Sequence, residues 1–143
     1  MQIGDILEHK GTAVITLYEG EALQRAIALM DAHAIGALVI TDRRGRLTGL
    51  ISERDIVREL ALHGAASLGR PIAQVTTPGL VSTSTDDSVQ TALARMTQRH
   101  VRHLPVLDAG QICGLVSIGD LVKHQLSKHA PQDAVQAVCA AAS

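Results

Sequence analysis

The sequence predicts a mixed α/β (α+β) fold: two β-α-β-β-α repeats packed sheet to sheet about a pseudo-two-fold axis. Three observations carry this expectation. First, GLISERDIV (49–57) returns as GLVSIGDLV (114–122), so that Gly49, Leu50, Ser52, Asp55 and Val57 recur as Gly114, Leu115, Ser117, Asp120 and Val122. Second, at a spacing one residue longer, Ala26, Ala28, Met30, Leu38 and Asp42 recur as Ala92, Ala94, Met96, Leu104 and Asp108. The difference falls between the turns DRRG (42–45) and DAG (108–110), and surface turns tolerate such changes. Third, helical and strand-like hydrophobic patterns alternate in the same order in both copies.

The elements follow in chain order. IGDIL (3–7) and IAQVT (72–76) are short lead-ins ahead of each first strand. VITL (14–17) and LVST (80–83) read as those strands. EALQRAIALMDAH (21–33) carries Leu23, Ile27 and Met30 at helical spacing, and DSVQTALARMTQRH (87–100) repeats it with Val89, Leu93 and Met96. Both are amphipathic helices. Ser84, Thr85 and Asp86 supply capping oxygens for the second, and its position at a helix start explains the Asp86–Asp87 pair. ALVIT (37–41) and LPVL (104–107) are apolar runs suited to buried strands, with Pro105 at a strand start, where it costs no interior ladder bond. A Gly-containing turn leads to RLTGLIS (46–52) and QICGLVS (111–117), each ending at a Ser placed to cap a helix at 53–62 or 118–128. The expected boundaries are 1–65 for the first repeat with its lead-in, 66–128 for the second with the connector GAASLGRP (64–71) at its head, and 129–143 for an Ala-rich tail extending as a loosely held helix.

A unit of this size buries little surface alone. Two such units pressing their bare sheet faces together make one core, with two related crevices along the seam, and pockets favour such interfaces.

Composition narrows the function. Of 143 residues, 46% are apolar, yet Phe and Trp are absent and Tyr occurs once. That disfavours reading single-stranded nucleic acid by stacking, and a net charge of -1 disfavours general polyanion binding. No nucleic-acid partner is expected. Cys113 and Cys139 form neither a metal spacing nor a disulfide framework. Cys113, in a buried strand, reads as a small hydrophobe. His100 with His103, and His124 with His129, lack the ligand sets of a metal site. GLIS and GLVS do not fit a nucleophile elbow, and no Gly-rich Lys-Ser/Thr loop supports ATP hydrolysis. The start MQIGDILEHKG is unlike a signal peptide and no run is long enough to span a membrane. The expectation is a cytoplasmic protein without catalysis of its own.

The segments ALVITDRRGRLTGLISERDIV (37–57) and RHLPVLDAGQICGLVSIGDLV (102–122), with the repeat order, resemble paired cystathionine-β-synthase (CBS) domains, the Bateman module, over roughly residues 1–128. The resemblance implies an adenosine-containing effector such as AMP, ADP, ATP, NAD or S-adenosylmethionine, with no obligatory cofactor. It also implies a homodimer of pairs and a role in energy sensing that a separate target protein reads. The alternative is a constitutive dimerisation scaffold with little ligand binding.

Site residues follow by the same resemblance. Asp120 would hold the ribose with Ser117 beside it, and Ser52 with Asp55 would form the matching pair. Read locally, each Ser/Asp pair is also an ordinary helix cap. The backbone entering the second-repeat strand would bind adenine, with Val101 and Leu104 packing on it ahead of Pro105. Arg102 and His103 would face phosphate, for which Arg suits bidentate contact, although a solvated basic edge beside Arg99 and His100 explains them too. Thr83 and Thr16 lie at the ends of the first strands, where the family contacts ribose or the adenine edge; Thr is also simply favoured in strands. Arg54 opposes its helix dipole, which points to phosphate. Repeat two has Gly119 there, and repeat one has Gly36-Ala37 in place of Arg102-His103. The second site is therefore expected to take the more highly charged ligand.

Overall fold

The computed structural model describes residues 1–76 and 80–129, the last three by their backbone. The expected tail after 129 lies outside the described residues. The elements are α1 (Ile3–Lys10), β1 (Thr16–Tyr18), α2 (Leu23–His33), β2 (Ala37–Thr41), β3 (Leu47–Ser52), α3 (Glu53–His63), two 3-10 turns (Gly64–Gly69 and Ile72–Gln74), β4 (Thr83–Ser84), α4 (Val89–Arg99), β5 (His103–Asp108), β6 (Gln111–Ser117) and α5 (Ile118–His129). The β-α-β-β-α order occurs twice, as expected.

Each repeat forms a three-stranded sheet, β1-β2-β3 or β4-β5-β6. The central strand runs parallel to the first and antiparallel to the third. The pairing slips at Ile40/Thr41 in one sheet and at Val106/Leu107 in the other. The recurring turn glycines have a reason: Gly45 and Gly110 stand at φ +78° and +79°, where a Cβ is strained. In α2, Leu23, Ala26 and Met30 are buried, and in α4 Val89, Ala92 and Met96 match them.

The spatial grouping departs from the expected boundaries. One unit joins Met1–Ala13 to the chain from Val81 on; the other is Val14–Leu80. The lead-ins are exchanged. The backbone N–H groups of Ile3 and Gly4 donate to the carbonyls of Asp87 and Thr85, both at 2.9 Å. Those of Ile72 and Ala73 donate to Glu21 and Glu19 at 2.9 and 3.0 Å. Ile3, Ile6 and Leu7 are buried with Met96, Leu104, Val106, Val116 and Leu121, whereas Ile72 is buried with Leu17, Leu23, Met30, Leu38 and Ile51.

Three local expectations are corrected. The first strands begin later, at Thr16 and Thr83. The cap of α4 is Ser88, whose hydroxyl accepts from Thr91 N–H at 3.0 Å, so Ser84, Thr85 and Asp86 do not cap it and Asp87 is free for another task. Pro105 lies inside β5, the central strand, rather than at its start. In the first repeat the residue at that position, Val39, donates its N–H to the Ile15 carbonyl at 3.3 Å. Proline has no such donor, so the edge strand pairs only from Thr83 on, which makes β4 shorter than β1.

The exchange gives Gly114 a packing role. A Cβ there would lie 2.7 and 2.8 Å from the methyls of Leu7 and 3.3 Å from its Cγ, and Leu7 is only 4% exposed. At the matching Gly49 a Cβ would meet Thr76 at an ordinary 3.6 Å. Gly114→Ala is therefore expected to cost ~1–3 kcal/mol by overpacking, with Gly49→Ala well below it. Denaturant melts of both variants, and of Gly114→Ala with Leu7→Ala, check this: the second change should recover part of the loss.

Candidate functional site

The candidate residues gather where the third strand of each sheet turns into its following helix. In the second repeat Ser117 and Asp120 form a closed cap. The Asp120 N–H donates to Ser117 Oγ at 3.1 Å, and Asp120 Oδ2 accepts from the Ser117 N–H at 2.8 Å. His103 pairs with Ser117 in the ladder, and the Ile118 N–H donates to the Arg102 carbonyl at 2.8 Å. Thus the strand-entering segment and the Ser/Asp corner are neighbours.

The first repeat builds the same corner. Asp55 Oδ2 accepts from the Ser52 N–H at 2.8 Å and from Ser52 Oγ at 2.9 Å, and the Asp55 N–H donates to Ser52 Oγ at 3.3 Å. Ala37 pairs with Ser52, and the Glu53 N–H donates to the Gly36 carbonyl at 3.0 Å. Arg54 stands exposed on the first turn of α3.

Lys10, which the sequence did not single out, completes the second corner. Its Nζ donates to Asp120 Oδ2 at 2.6 Å and to the Leu115 carbonyl at 2.7 Å. Burial pushes the Asp120 carboxyl up, but the Lys10 ammonium and the Ser117 amide outweigh it and hold the group below its ordinary value. Asp120 is therefore an ionised acceptor at neutral pH. Only a partner distant in sequence reveals Lys10, so no local pattern could have found it.

Other candidates are placed differently from expectation. Leu104 is fully buried in the core, which leaves its backbone rather than its side chain for a ligand, and Val101 is half-buried, packing against the same cluster. Pro105 is buried, Arg102 exposed and His103 half-buried. Thr83 is buried at 2% exposure and donates its hydroxyl to Asp87 Oδ2 at 2.9 Å. Ser84 N–H donates to the same oxygen at 2.8 Å, and Arg95 from α4 joins them through Nη1. Thr16 is exposed and is not the counterpart of Thr83: by register the match is Leu17, since Leu17 pairs with Ile40 as Thr83 pairs with Val106.

Cys113 is half-buried, its thiol pushed up by burial and by the Asp108 charge. Among the described residues no group of three or more His, Cys, Asp or Glu is placed to hold a metal ion. No described helix is long and apolar enough to cross a membrane.

Comparison with known proteins places this geometry. The YhcV protein of Bacillus subtilis, a CBS domain-containing protein, is 31% identical over 124 residues, 87% of each chain. The crystal structure of the CBS-domain containing protein ATU1752 from Agrobacterium tumefaciens superposes with a TM-score of 0.84 at 34% identity, covering 87% of this chain and 99% of that one. The CBS domain pair of protein MJ0100, solved in complex with 5'-methylthioadenosine and S-adenosyl-L-methionine, has a TM-score of 0.79 at 24% identity, covering 90% and 98%, and shares the fold. The family model for the CBS domain matches twice, at residues 3–62 and 72–127, so the chain belongs to the CBS-domain family as a tandem pair.

Proposed function

We propose that this pair is a regulatory module that binds an adenine nucleotide or related adenosine compound, has no catalysis of its own, and passes its occupancy to a separate partner protein. One observation carries the reading. The same corner is built twice: a carboxylate one turn into a helix, with one oxygen fixed by the preceding Ser amide, beside the strand that enters the sheet centre. A carboxylate so fixed keeps its second oxygen for a sugar hydroxyl, the chemistry by which acidic residues hold ribose in dinucleotide folds. The MJ0100 likeness bears on fold, and the adenosine compounds in that structure set the ligands to try. A homodimer of pairs in the cytoplasm, sensing ligand by a population shift, completes the proposal.

A constitutive scaffold is the second reading, and one fact favours it: Asp120 already has a cation on it. Thermal melts with AMP, ADP, ATP, NAD, 5'-methylthioadenosine and S-adenosylmethionine separate the two. A ligand at about 100 times its Kd adds ~2.7 kcal/mol, and Asp55→Asn with Asp120→Asn should abolish the shift. A melt unmoved by every ligand would leave the scaffold.

A further inference from the structure

Lys10 does more in the second repeat than a neutral helix-end residue would. An ammonium has three donors. Two are directed at Asp120 and at the Leu115 carbonyl. Among the described residues the third meets no acceptor, and Asp120 Oδ1 meets no donor. The pair stays accessible, with the Lys10 and Asp120 side chains 38% and 26% exposed. It therefore offers a ligand one carboxylate oxygen and one ammonium proton side by side.

The first repeat has no such pair. Asp55 takes both hydrogen bonds from Ser52, and among the described residues no basic side chain bonds to it. Matching the lead-ins from Ile3 and Ile72 puts Gly79, without a side chain, opposite Lys10 in the sequence. One corner carries its own lysine ammonium, and the other has no cation bonded to it among the described residues.

We propose that Lys10 is a specificity-determining residue of the second repeat: its ammonium sets that corner's preference for a phosphorylated adenosine ligand over the uncharged nucleoside. The inference rests on reading Asp120 as the ribose ligand. A bare carboxylate grips sugar hydroxyls but repels a phosphate, which carries nearly two negative charges at neutral pH. Lys10 cancels that repulsion, and its remaining proton makes a charge-assisted bond available to a phosphate oxygen. A neutral nucleoside gains nothing from either effect. The lysine arrives on the exchanged α1, so selectivity in the second repeat is carried by the stretch that precedes the first.

Calorimetry on the Asp55→Asn chain, with the first corner silenced, tests this with adenosine and AMP as probes. Lys10→Met should weaken AMP about tenfold while adenosine stays within about twofold, the size expected for one partly screened cation beside a phosphate. Lys10→Arg should keep the preference, and the gap between Lys10→Met and its parent should narrow towards about 0.5 M salt. If Lys10→Met changes both ligands by the same factor, or neither, while its circular dichroism matches the parent, Lys10 is a structural pin and the inference is wrong. Asp120→Asn in the same background tests the underlying reading separately through adenosine, which carries no charge for Lys10 to attract and should weaken with loss of the ribose grip; an unchanged adenosine affinity would overturn that reading. A parent chain that binds neither overturns both.

Discussion

Replacing Ile3, Ile6 and Leu7 by alanine will dismantle the sheet formed by residues 83–117, rather than the sheet that follows these positions in sequence. The three side chains are 0%, 5% and 4% exposed within the core of the second repeat. Each buried Ile or Leu to Ala change costs ~2–5 kcal/mol through lost transfer energy and the cavity left behind. Together they amount to ~6 kcal/mol or more, against the 5–15 kcal/mol that holds a typical domain. Amide hydrogen exchange reads the outcome strand by strand. Protection should fall first in β5 and β6, with β2 and β3 the later to go. Ile72→Ala is the mirror control, because Ile72 is fully buried in the first-repeat core. Loss of protection in β2 and β3 on altering α1 would contradict the exchange.

The reason this exchange escaped the sequence is instructive. Strands such as Ala37–Thr41 and Gln111–Ser117 were legible to the residue, because an apolar run bounded by a turn and a capping Ser admits few alternatives. The Ser/Asp corners were legible because they recur. Repetition also makes IGDIL and IAQVT nearly interchangeable, however, so either could complete either repeat, and sequence order then favours the wrong partner. Asp87 was misread because it sits beside a helix start, where a carboxylate usually caps. Its neighbour Ser88 takes that task, and the real partners of Asp87 include Arg95, two turns further on. Leu104 was placed against a ligand because the strand order was known but not which face it presents; alternation along β5 turns it into the core.

Asp87→Ala is expected to destabilise the second repeat by ~2–4 kcal/mol, since it strips the acceptor from the buried Thr83 hydroxyl, the Ser84 amide and the Arg95 guanidinium at once. The first repeat shows how the same positions are filled without the network. By register Thr83, Asp87 and Arg95 correspond to Leu17, Glu21 and Leu29; Leu17 is buried, Leu29 packs on that core, and Glu21 is exposed. Thr83→Leu, Asp87→Glu and Arg95→Leu together should therefore return to within ~1 kcal/mol of the parent, as apolar replacements of ion pairs often do. The two versions differ in acid. The Ser84 amide, against the cost of partial burial and with help from Arg95 and Thr83, holds the Asp87 carboxyl below its ordinary value. A depressed carboxyl contributes stability that is present above the unfolded value, near ~3.9, and is lost as pH falls through the folded one. Melts between pH 7 and about pH 3 should thus show less acid loss for the triple variant than for the parent. A triple variant as unstable as Asp87→Ala would mean that the second repeat cannot adopt the apolar solution of the first. The same variant also separates the two roles open to Thr83. If its hydroxyl serves only Asp87, the repacked chain should give the same ligand-induced melting shifts as the parent in the adenosine-compound series of the proposed function.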